Sequence, residues 1–334
     1  MPLPRRPRQF YNDLQLGLFD DIGEDPAIER AARELGAQRR AEARLASGDG
    51  EMLFMSFGSG SSGNCAYLGD SDGGFLIDAG VDADRVTEVL RRNAIDMTSV
   101  KGIILTHDHS DHVRAVYPLL RQNRHMGVYC TPRTLTGLLR RHNISRRIKD
   151  YHRPIYKEFE FKIGNFAITP FEVSHDGTDN VGYYITRGRQ AFAVATDLGC
   201  ITERVEYYMS RADHIVIESN YDLRMLEEGR YHEYLKHRIK ADDGHLDNRV
   251  ASAFIARIIT PRLRHLFLCH LSADNNRPEV AVAAMREALS YAGYTDVGDF
   301  SGSVATRDLP LQLMALPRFD PTPLFVLRPG PQGL

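Results

Sequence analysis

Residues 106–112, with the sequence THDHSDH, contain three imidazoles and two carboxylates within seven positions. The segment directly follows the apolar run 100–105, which predicts a buried strand. Neutral imidazoles combined with carboxylates suit borderline divalent cations such as zinc, manganese and iron. The sequence therefore predicts a metal site at the end of a buried strand.

The spacing within this segment indicates a turn rather than a helix, because helical ligand histidines lie four residues apart. In a turn after a strand, His107 and His109 can approach one ion while Asp111 and His112 face a second. This geometry predicts further ligands downstream. Three candidates each end an apolar, strand-like run: His175, Asp197 and His270.

Bulk properties narrow the class of protein. The four cysteines are scattered and form no Cys-x-x-Cys pair, which excludes a structural zinc cage and favours a reducing cytoplasm. The chain has 334 residues with 43% hydrophobic content, enough for a substantial core, and no apolar run approaches the length of a membrane span. Its net charge of -2 gives no global attraction to nucleic acid, so DNA binding would need a local patch and the metal ions.

The ligand series, together with Asp78-Ala79-Gly80 upstream, resembles the metallo-β-lactamase-fold hydrolases over residues 52 to about 300. The resemblance implies two divalent ions, zinc or manganese with iron as an option, bridged by Asp197. The ligands of the first ion would be His107, His109 and His175. The ligands of the second would be Asp111, His112 and His270. Two hard cations that share a carboxylate favour phosphodiester chemistry.

Four segments outside the ligands resemble the YycJ/WalJ group of this fold: SGSSGN at 59–64, ESNYD at 218–222, GHLDN at 244–248 and HLSADNNRPE at 270–279. That group is described as bacterial exonucleases that act on DNA from the 5′ side, with a proposed part in mismatch repair. The resemblance implies a DNA substrate. The chain departs from the pattern at Asp247, where serine is expected, so no hydroxyl can act there.

The expected reaction is attack of an activated water on phosphorus. Asp111 or Asp197 would orient the water, and His245 would protonate the leaving oxygen because its ordinary pKa lies near working pH. His245 could instead cap a helix that starts near Asp247. Asp78 would accept the spare N–H of a ligand histidine, or make only a turn contact.

Four polar residues are candidates for substrate binding: Ser61, Ser62, Asn64 and Asn220. The Ser/Gly loop at 59–64 could place amides and hydroxyls around a phosphate, as anion nests do. The alternative is a flexible hairpin loop without a ligand.

The periodicity predicts two strand-rich blocks with helices outside them, which indicates an α/β fold, a four-layer αββα sandwich with the metals at one edge. We assign the catalytic domain to residues 51–300. Residues 1–50 are predicted to be a mobile tail with a helical stretch, and residues 301–334 a Pro-rich C-terminal tail.

The N-terminal tail contains Gln15-Leu16-Gly17-Leu18-Phe19. This resembles the Gln-Leu-x-Leu-Phe peptide with which bacterial polymerases and repair proteins bind the DNA sliding clamp. Gln15 would bond at a pocket rim while Leu16, Leu18 and Phe19 fill apolar subsites. The alternative is that these apolar side chains dock on the catalytic domain of the same chain.

Three functional hypotheses follow. The first is a DNA exonuclease linked to replication or mismatch repair, the second a hydrolase of small, for example cyclic, phosphodiesters, and the third a non-catalytic adaptor that binds the sliding clamp. The complete ligand set disfavours the adaptor, and the tail peptide favours DNA over a metabolite.

Overall fold

The computed structural model describes residues 51–299 and 311–328, together with Glu34. Within this part of the chain, two β-sheets pack face to face and helices cover the outer side of each sheet. The prediction of an αββα sandwich is confirmed. The tail peptide Gln15–Phe19, most of the N-terminal tail and residues 300–310 and 329–334 lie outside the described residues.

The strands in chain order are β1 Met52–Gly58, β2 Cys65–Asp70, β3 Gly73–Ile77, β4 Val100–Ile104, β5 Gly127–Cys130, β6 His152–Pro154, β7 Phe161–Ile163, β8 Phe166–Glu172, β9 Val181–Arg187, β10 Gln190–Ala195, β11 His214–Glu218, β12 His265–Cys269, β13 Val297–Asp299, β14 Leu311–Ala315 and β15 Phe325–Leu327. The first sheet has the order β15-β1-β2-β3-β4-β5-β6. The second has the order β13-β14-β12-β11-β10-β9-β8-β7.

The α-helices in chain order are α1 Ala83–Arg92, α2 Ser110–Val113, α3 Val116–Gln122, α4 Pro132–Arg141, α5 Glu203–Met209, α6 Leu223–Glu228, α7 Glu233–Lys240, α8 Asn248–Ile258 and α9 Pro278–Tyr291. Short 3-10 helices occur at Met97–Ser99 and Arg146–Tyr151. Within the described part of the chain, every helix is too short or too polar to traverse a lipid bilayer.

Aromatic side chains fill the space between the sheets. The ring of Phe54 on β1 lies 5.2 Å from that of Phe192 on β10 and 4.8 Å from that of Phe267 on β12. Separate apolar layers join each sheet to its own helices, as with Leu76 and Val86 on one side. Because buried aromatic pairs pack with defined geometry, the sheets form a firm platform for the strand ends.

The strand directions bring the predicted ligands to one edge. Strands β10, β11 and β12 run parallel, so the residues that follow their carboxyl ends share that edge. Strand β3 is likewise parallel to β4, which places Asp78 beside the segment 106–112. The fold thus collects at one edge side chains that are distant in sequence.

The C-terminal segment differs from the prediction of a Pro-rich tail. Strand β14 pairs with β12 and β13 in the second sheet, and β15 pairs with β1 at the edge of the first. Ser56 N donates to Thr322 Oγ1 at 3.0 Å. Pro317, Pro321 and Pro323 lie in the connection between β14 and β15, while most residues of the two strands are buried in the sheets. The catalytic domain therefore extends to Arg328, beyond the predicted boundary at 300.

Residues 221–243, which we call the cap segment, lie between β11 and α8 and contain helices α6 and α7. Tyr221, Leu226 and Ile239 form a small buried cluster of their own. The sequence pattern predicts no helix here, because each of these helices is shorter than three turns and has a weak apolar stripe. The cap segment forms one side of the cleft described below.

Candidate metal centre

Three of the predicted ligand histidines form one group. His107 and His109 leave the end of β4, and His175 follows β8. The Nδ1 atom of His109 lies 3.3 Å from Nε2 of His175, and the rings of His107 and His175 are 5.0 Å apart. One ligand atom from each of the three lies within 4.8 Å of the others, which is close enough to hold one metal ion.

A second group lies beside the first. Nε2 of His112 and Nε2 of His270 lie 3.6 and 3.5 Å from Oδ2 of Asp111. Asp197 stands between the groups, with Oδ2 3.1 Å from His112 Nε2 and Oδ1 3.6 Å from His175 Nε2. The structure thus brings all seven predicted ligands together, with Asp197 in the central position.

Each ligand histidine also contacts a further partner through one ring nitrogen. These contacts are His107 Nδ1 with Thr106 Oγ1 at 2.9 Å, His109 Nε2 with Asp176 Oδ1 at 3.3 Å, His112 Nδ1 with Asp78 Oδ2 at 2.7 Å, His175 Nδ1 with Gly244 O at 3.0 Å and His270 Nδ1 with Glu218 Oε1 at 2.8 Å. An outer acceptor keeps its nitrogen protonated, so the other nitrogen points a lone pair at the centre.

Several buried atoms at the centre suit divalent cations. His107 Nε2 and His270 Nε2 make no hydrogen bond, although buried polar atoms are normally paired, and the close neighbour of Asp197 Oδ2 is His112 Nε2 at 3.1 Å. Burial alone would lower the pKa of His270, but Asp197, Asp111 and Glu218 raise it to about 10. Burial opposes ionisation of Asp197 as well, yet His270 and His112 hold its pKa well below the usual range. The pocket therefore favours positive charge and fits metal ions.

Comparison with known proteins gives the family. The family model described as a β-lactamase superfamily domain matches residues 74–270. Exodeoxyribonuclease YycJ of Bacillus anthracis is 31% identical over 242 residues, which are 72% of this chain and 90% of the relative. Exodeoxyribonuclease WalJ of Streptococcus pneumoniae serotype 2 is 32% identical over 235 residues, or 70% and 87% of the two chains. The chain belongs to the metallo-β-lactamase-fold hydrolases of the YycJ/WalJ type.

A solved structure shows the same fold. Zn²⁺-bound PqqB of Methylobacterium extorquens superposes with a TM-score of 0.56 at 16% identity, covering 81% of this chain and 99% of that one. This chain is therefore a metal-dependent hydrolase. The conclusion follows from the matched family, the shared fold and the clustered histidines and carboxylates.

Asp78 connects two loops of this metallo-β-lactamase-fold hydrolase. Its carboxylate accepts hydrogen bonds from Thr106 N and Thr106 Oγ1, both at 2.8 Å, and contacts His112. Asp78 and His270 both have φ in the left-handed region, at 59° and 54°, which costs about 1–3 kcal/mol for such residues. Gly80 permits the close packing of this loop, because a Cβ there would lie 1.5 Å from Asp111 O. Two of the four non-glycine residues with left-handed φ in the described part of the chain therefore lie at the centre, and the other two, Ala94 and Glu158, lie elsewhere.

Glu218, which is not among the predicted site residues, lies fully buried at the end of β11. Its Oε1 accepts from Nδ1 of His245 and Nδ1 of His270, both at 2.8 Å, and its Oε2 accepts from two backbone amides. Burial raises the pKa of Glu218, but His245 and His270 lower it overall. The sequence does contain one signal for this residue, because Glu218 is a carboxylate at the carboxyl end of the apolar run HIVIE.

His245 lines a cleft beside the centre and does not cap helix α8. Asp247 is the residue at the start of α8, where its side chain accepts from Arg249 N at 2.6 Å. Aspartate and serine both perform this capping role, so the departure at this position has a structural explanation. His245 is held by Glu218 and points into the cleft next to His175 and His270.

The predicted substrate-binding residues differ in position. Ser61 and Asn220 line the cleft. Asn220 Nδ2 also donates to His270 O at 2.7 Å, which steadies the loop after β12. Asn64 is buried, accepts from Gly60 N at 2.8 Å and closes the Ser/Gly loop. Ser62 is exposed, and its carbonyl accepts from the Arg114 side chain. Of the four predicted residues, Ser61 and Asn220 are thus the two that line the cleft.

Proposed function

We propose that this chain is an exodeoxyribonuclease that hydrolyses phosphodiester bonds of DNA from the 5′ end with two divalent metal ions. The observation that carries the proposal is the central place of Asp197 between two groups of imidazole and carboxylate ligands. Paired metals serve in-line displacement at phosphorus, because they stabilise the attacking and the leaving oxygen together. The DNA substrate is supported by similarity to relatives named as exodeoxyribonucleases.

The ligand set suits zinc or manganese, with iron as a further option. His107, His109 and His175 would hold one ion, and Asp111, His112 and His270 the other, with Asp197 shared. The bound pair would supply a lowered pKa for water and compensation of the charge that develops on the phosphate.

The remaining steps fall to protein side chains. Asp111 and Asp197 carry carboxylate oxygens at the centre and would orient the attacking water. His245 would give a proton from its Nε2 to the leaving oxygen. Glu218 acts as the positioning residue for this transfer, because it accepts from His245 Nδ1 and fixes the ring toward the cleft.

A basic surface next to the centre supports a DNA substrate. Helix α4 ends with Arg140 and Arg141, and the following 3-10 helix adds Arg146, Arg147 and Lys149. This surface contacts the metal-binding segment directly, since Arg141 Nε lies 3.6 Å from Asp108 Oδ2 and His142 Nε2 lies 2.5 Å from Asp108 O. Arginine and lysine contacts to the phosphate backbone supply most of the affinity for DNA.

A substrate comparison tests the proposal. We expect the full chain, supplied with manganese or zinc, to release nucleotides from 5′-labelled DNA and His107→Ala to release none. A chain that lacks residues 1–50 should retain this hydrolysis, because the centre lies within the described residues. Activity confined to small linear or cyclic phosphodiesters would reject the nuclease and leave the second hypothesis. If the metal-loaded protein hydrolyses neither class of substrate, the remaining hypothesis is the non-catalytic adaptor that binds the sliding clamp.

We also propose a cytoplasmic role in replication or mismatch repair, in which Gln15-Leu16-Gly17-Leu18-Phe19 binds the polymerase sliding clamp. The support is the sequence pattern alone, with three apolar anchors and one amide.

Replacing both Leu18 and Phe19 with Ala should weaken clamp binding at least about a hundredfold, since two apolar anchors are lost. Calorimetry with the purified clamp measures this change. Gln9→Ala, a polar change in the same tail, is the matched control. Unchanged clamp affinity together with lower thermal stability of the double variant would indicate that the peptide docks on its own catalytic domain instead.

A further inference from the structure

The cleft beside the metal centre has two different sides. His175, His245 and His270 form the side that belongs to the centre. The cap segment forms the opposite side with Tyr231 and Arg238 among its lining residues. A substrate whose reacting phosphate lies at the centre can therefore extend along the cap segment and contact the side chains there.

Arg238 lies on α7 and lines the cleft, and its side chain is 54% exposed to solvent. Its Nε donates to Asp176 Oδ2 at 3.0 Å, and its Nη2 contacts the same oxygen. Because the guanidinium is planar, a carboxylate on the Nε–Nη2 edge leaves the Nη1 edge directed away from Asp176. Asp176 thus orients a cation that lines the cleft, and this carboxylate does not use the donors of the Nη1 edge.

The Asp176 carboxylate also sets the distance between Arg238 and the metal centre. Asp176 Oδ1 is 3.3 Å from Nε2 of His109 and 3.5 Å from Nε2 of His175. One residue therefore touches both the cleft arginine and the first group of ligands. The guanidinium lies close to the centre, but Asp176 stands between the two. This position suits a phosphate next to the reacting one rather than the reacting phosphate itself.

The backbone that carries Arg238 is firmly held. Ile239 is buried in the cluster of the cap segment, Lys236 Nζ donates to Glu227 O at 2.7 Å, and His245 N donates to Ile239 O at 2.9 Å. The last of these bonds ties the end of α7 to the residue proposed as the general acid. Arg238 and His245 are consequently fixed relative to one another, and a pre-oriented arginine loses little entropy on binding an anion.

We propose that Arg238 binds a phosphate of the substrate other than the one that is cleaved, and so selects polynucleotides over esters with a single phosphate. The inference rests on the proposed nuclease function and extends it to a specificity-determining residue. A polynucleotide carries a phosphate at every nucleotide, so a second anion always accompanies the reacting one. Arginine suits this contact because its fork matches two phosphate oxygens.

The test compares two substrates in the metal-loaded full chain: a 5′-labelled oligodeoxynucleotide and bis(p-nitrophenyl) phosphate, which has one phosphate. In Arg238→Gln, kcat/KM for the oligonucleotide should fall about ten- to a hundredfold more than for the ester, mainly through KM, since a charge-assisted hydrogen bond is lost. Arg238→Lys should recover part of the loss. Arg224→Gln, in the same segment with its side chain 81% exposed and outside the cleft lining, is the matched control.

Neutral linkages locate the contact. Each oligonucleotide of a series carries one methylphosphonate at a different position. At one position we expect the neutral linkage to lower the affinity of the wild type. The same linkage should not lower the affinity of Arg238→Gln any further. Equal losses on both substrates would overturn the proposal, because Arg238 would then act only through Asp176 and His109. Oligonucleotide hydrolysis that Arg238→Gln leaves unchanged would overturn it too. A wild type that hydrolyses the ester but no oligonucleotide would instead reject the proposed nuclease function on which the inference rests.

Discussion

Asp197→Asn should abolish hydrolysis, with a fall of about ten-thousandfold or more in kcat, and the purified protein should lose most of its bound metal. The carboxylate lies within 3.1–3.6 Å of a histidine from each ligand group, so its replacement weakens both sites together. It also supplies the negative charge that offsets burial of His112 and His270. An amide keeps the shape but provides neither the charge nor two equivalent oxygen ligands.

Metal content by inductively coupled plasma mass spectrometry and hydrolysis of labelled DNA, measured on one preparation, check this result. Asp320→Asn is the matched control, because it is the same chemical change at a carboxylate that is 69% exposed on the surface. Near-wild-type metal content and activity in Asp197→Asn would show that the centre does not depend on a shared carboxylate. The two-ion proposal would then fail.

His245→Gln should lower kcat on DNA by about a hundred- to ten-thousandfold while metal content stays at the wild-type level. The leaving oxygen of a nucleotide is a poor leaving group and needs a proton, whereas p-nitrophenolate departs without one. The loss should therefore be much smaller with bis(p-nitrophenyl) phosphate. A general acid predicts this difference between substrates, and a residue that only maintains the fold does not.

The control for this variant is His237→Gln, an exposed histidine on α7 that is not part of the cleft lining. The contrary outcome is also well defined. His245 lies in a group with Asp197, Glu218 and His270 whose ligand atoms are within 4.8 Å of one another. A parallel fall in metal content and in the hydrolysis of both substrates would make His245 a metal ligand rather than the acid.

The positions of the predicted ligands could be inferred from sequence because each follows an apolar strand. His175, Asp197 and His270 sit at the ends of runs whose composition alone indicates burial. Their strands all point toward one edge, because β10, β11 and β12 are parallel and β8 is joined to β10 through the antiparallel β9. The structure gathers these residues as expected, and their metal-binding roles stay predictions that the Asp197 variant examines.

Arg238 follows no apolar strand, and Glu218 ends one but was not recognised from that signal alone. A single carboxylate at the end of β11 has no recognisable spacing, and its meaning arises only when His245 and His270 converge on it. Arg238 looks like one cation among several in a short charged helix until Asp176 and the cleft are in view. In both cases the contacting residues belong to separate strands, helices and loops. They are neighbours in the folded structure but are far apart in the sequence.

The two C-terminal strands were missed for a related reason. Short, mostly apolar runs of three to five residues between prolines look like loop segments in the sequence. They form strands because β15 can pair with the edge strand β1 and β14 can pair with β12. Tertiary contact, rather than local propensity, decides such short strands.

These late strands also determine how the molecule can fold. The hydrogen bond between Ser56 and Thr322 joins positions 266 residues apart, and β1 cannot complete its pairing until β15 has been synthesised. Contacts of such long sequence separation slow folding, because loop entropy must be lost before they contribute stability. A nascent chain interrupted before residue 325 would leave β1 as an open edge, exposed to aggregation.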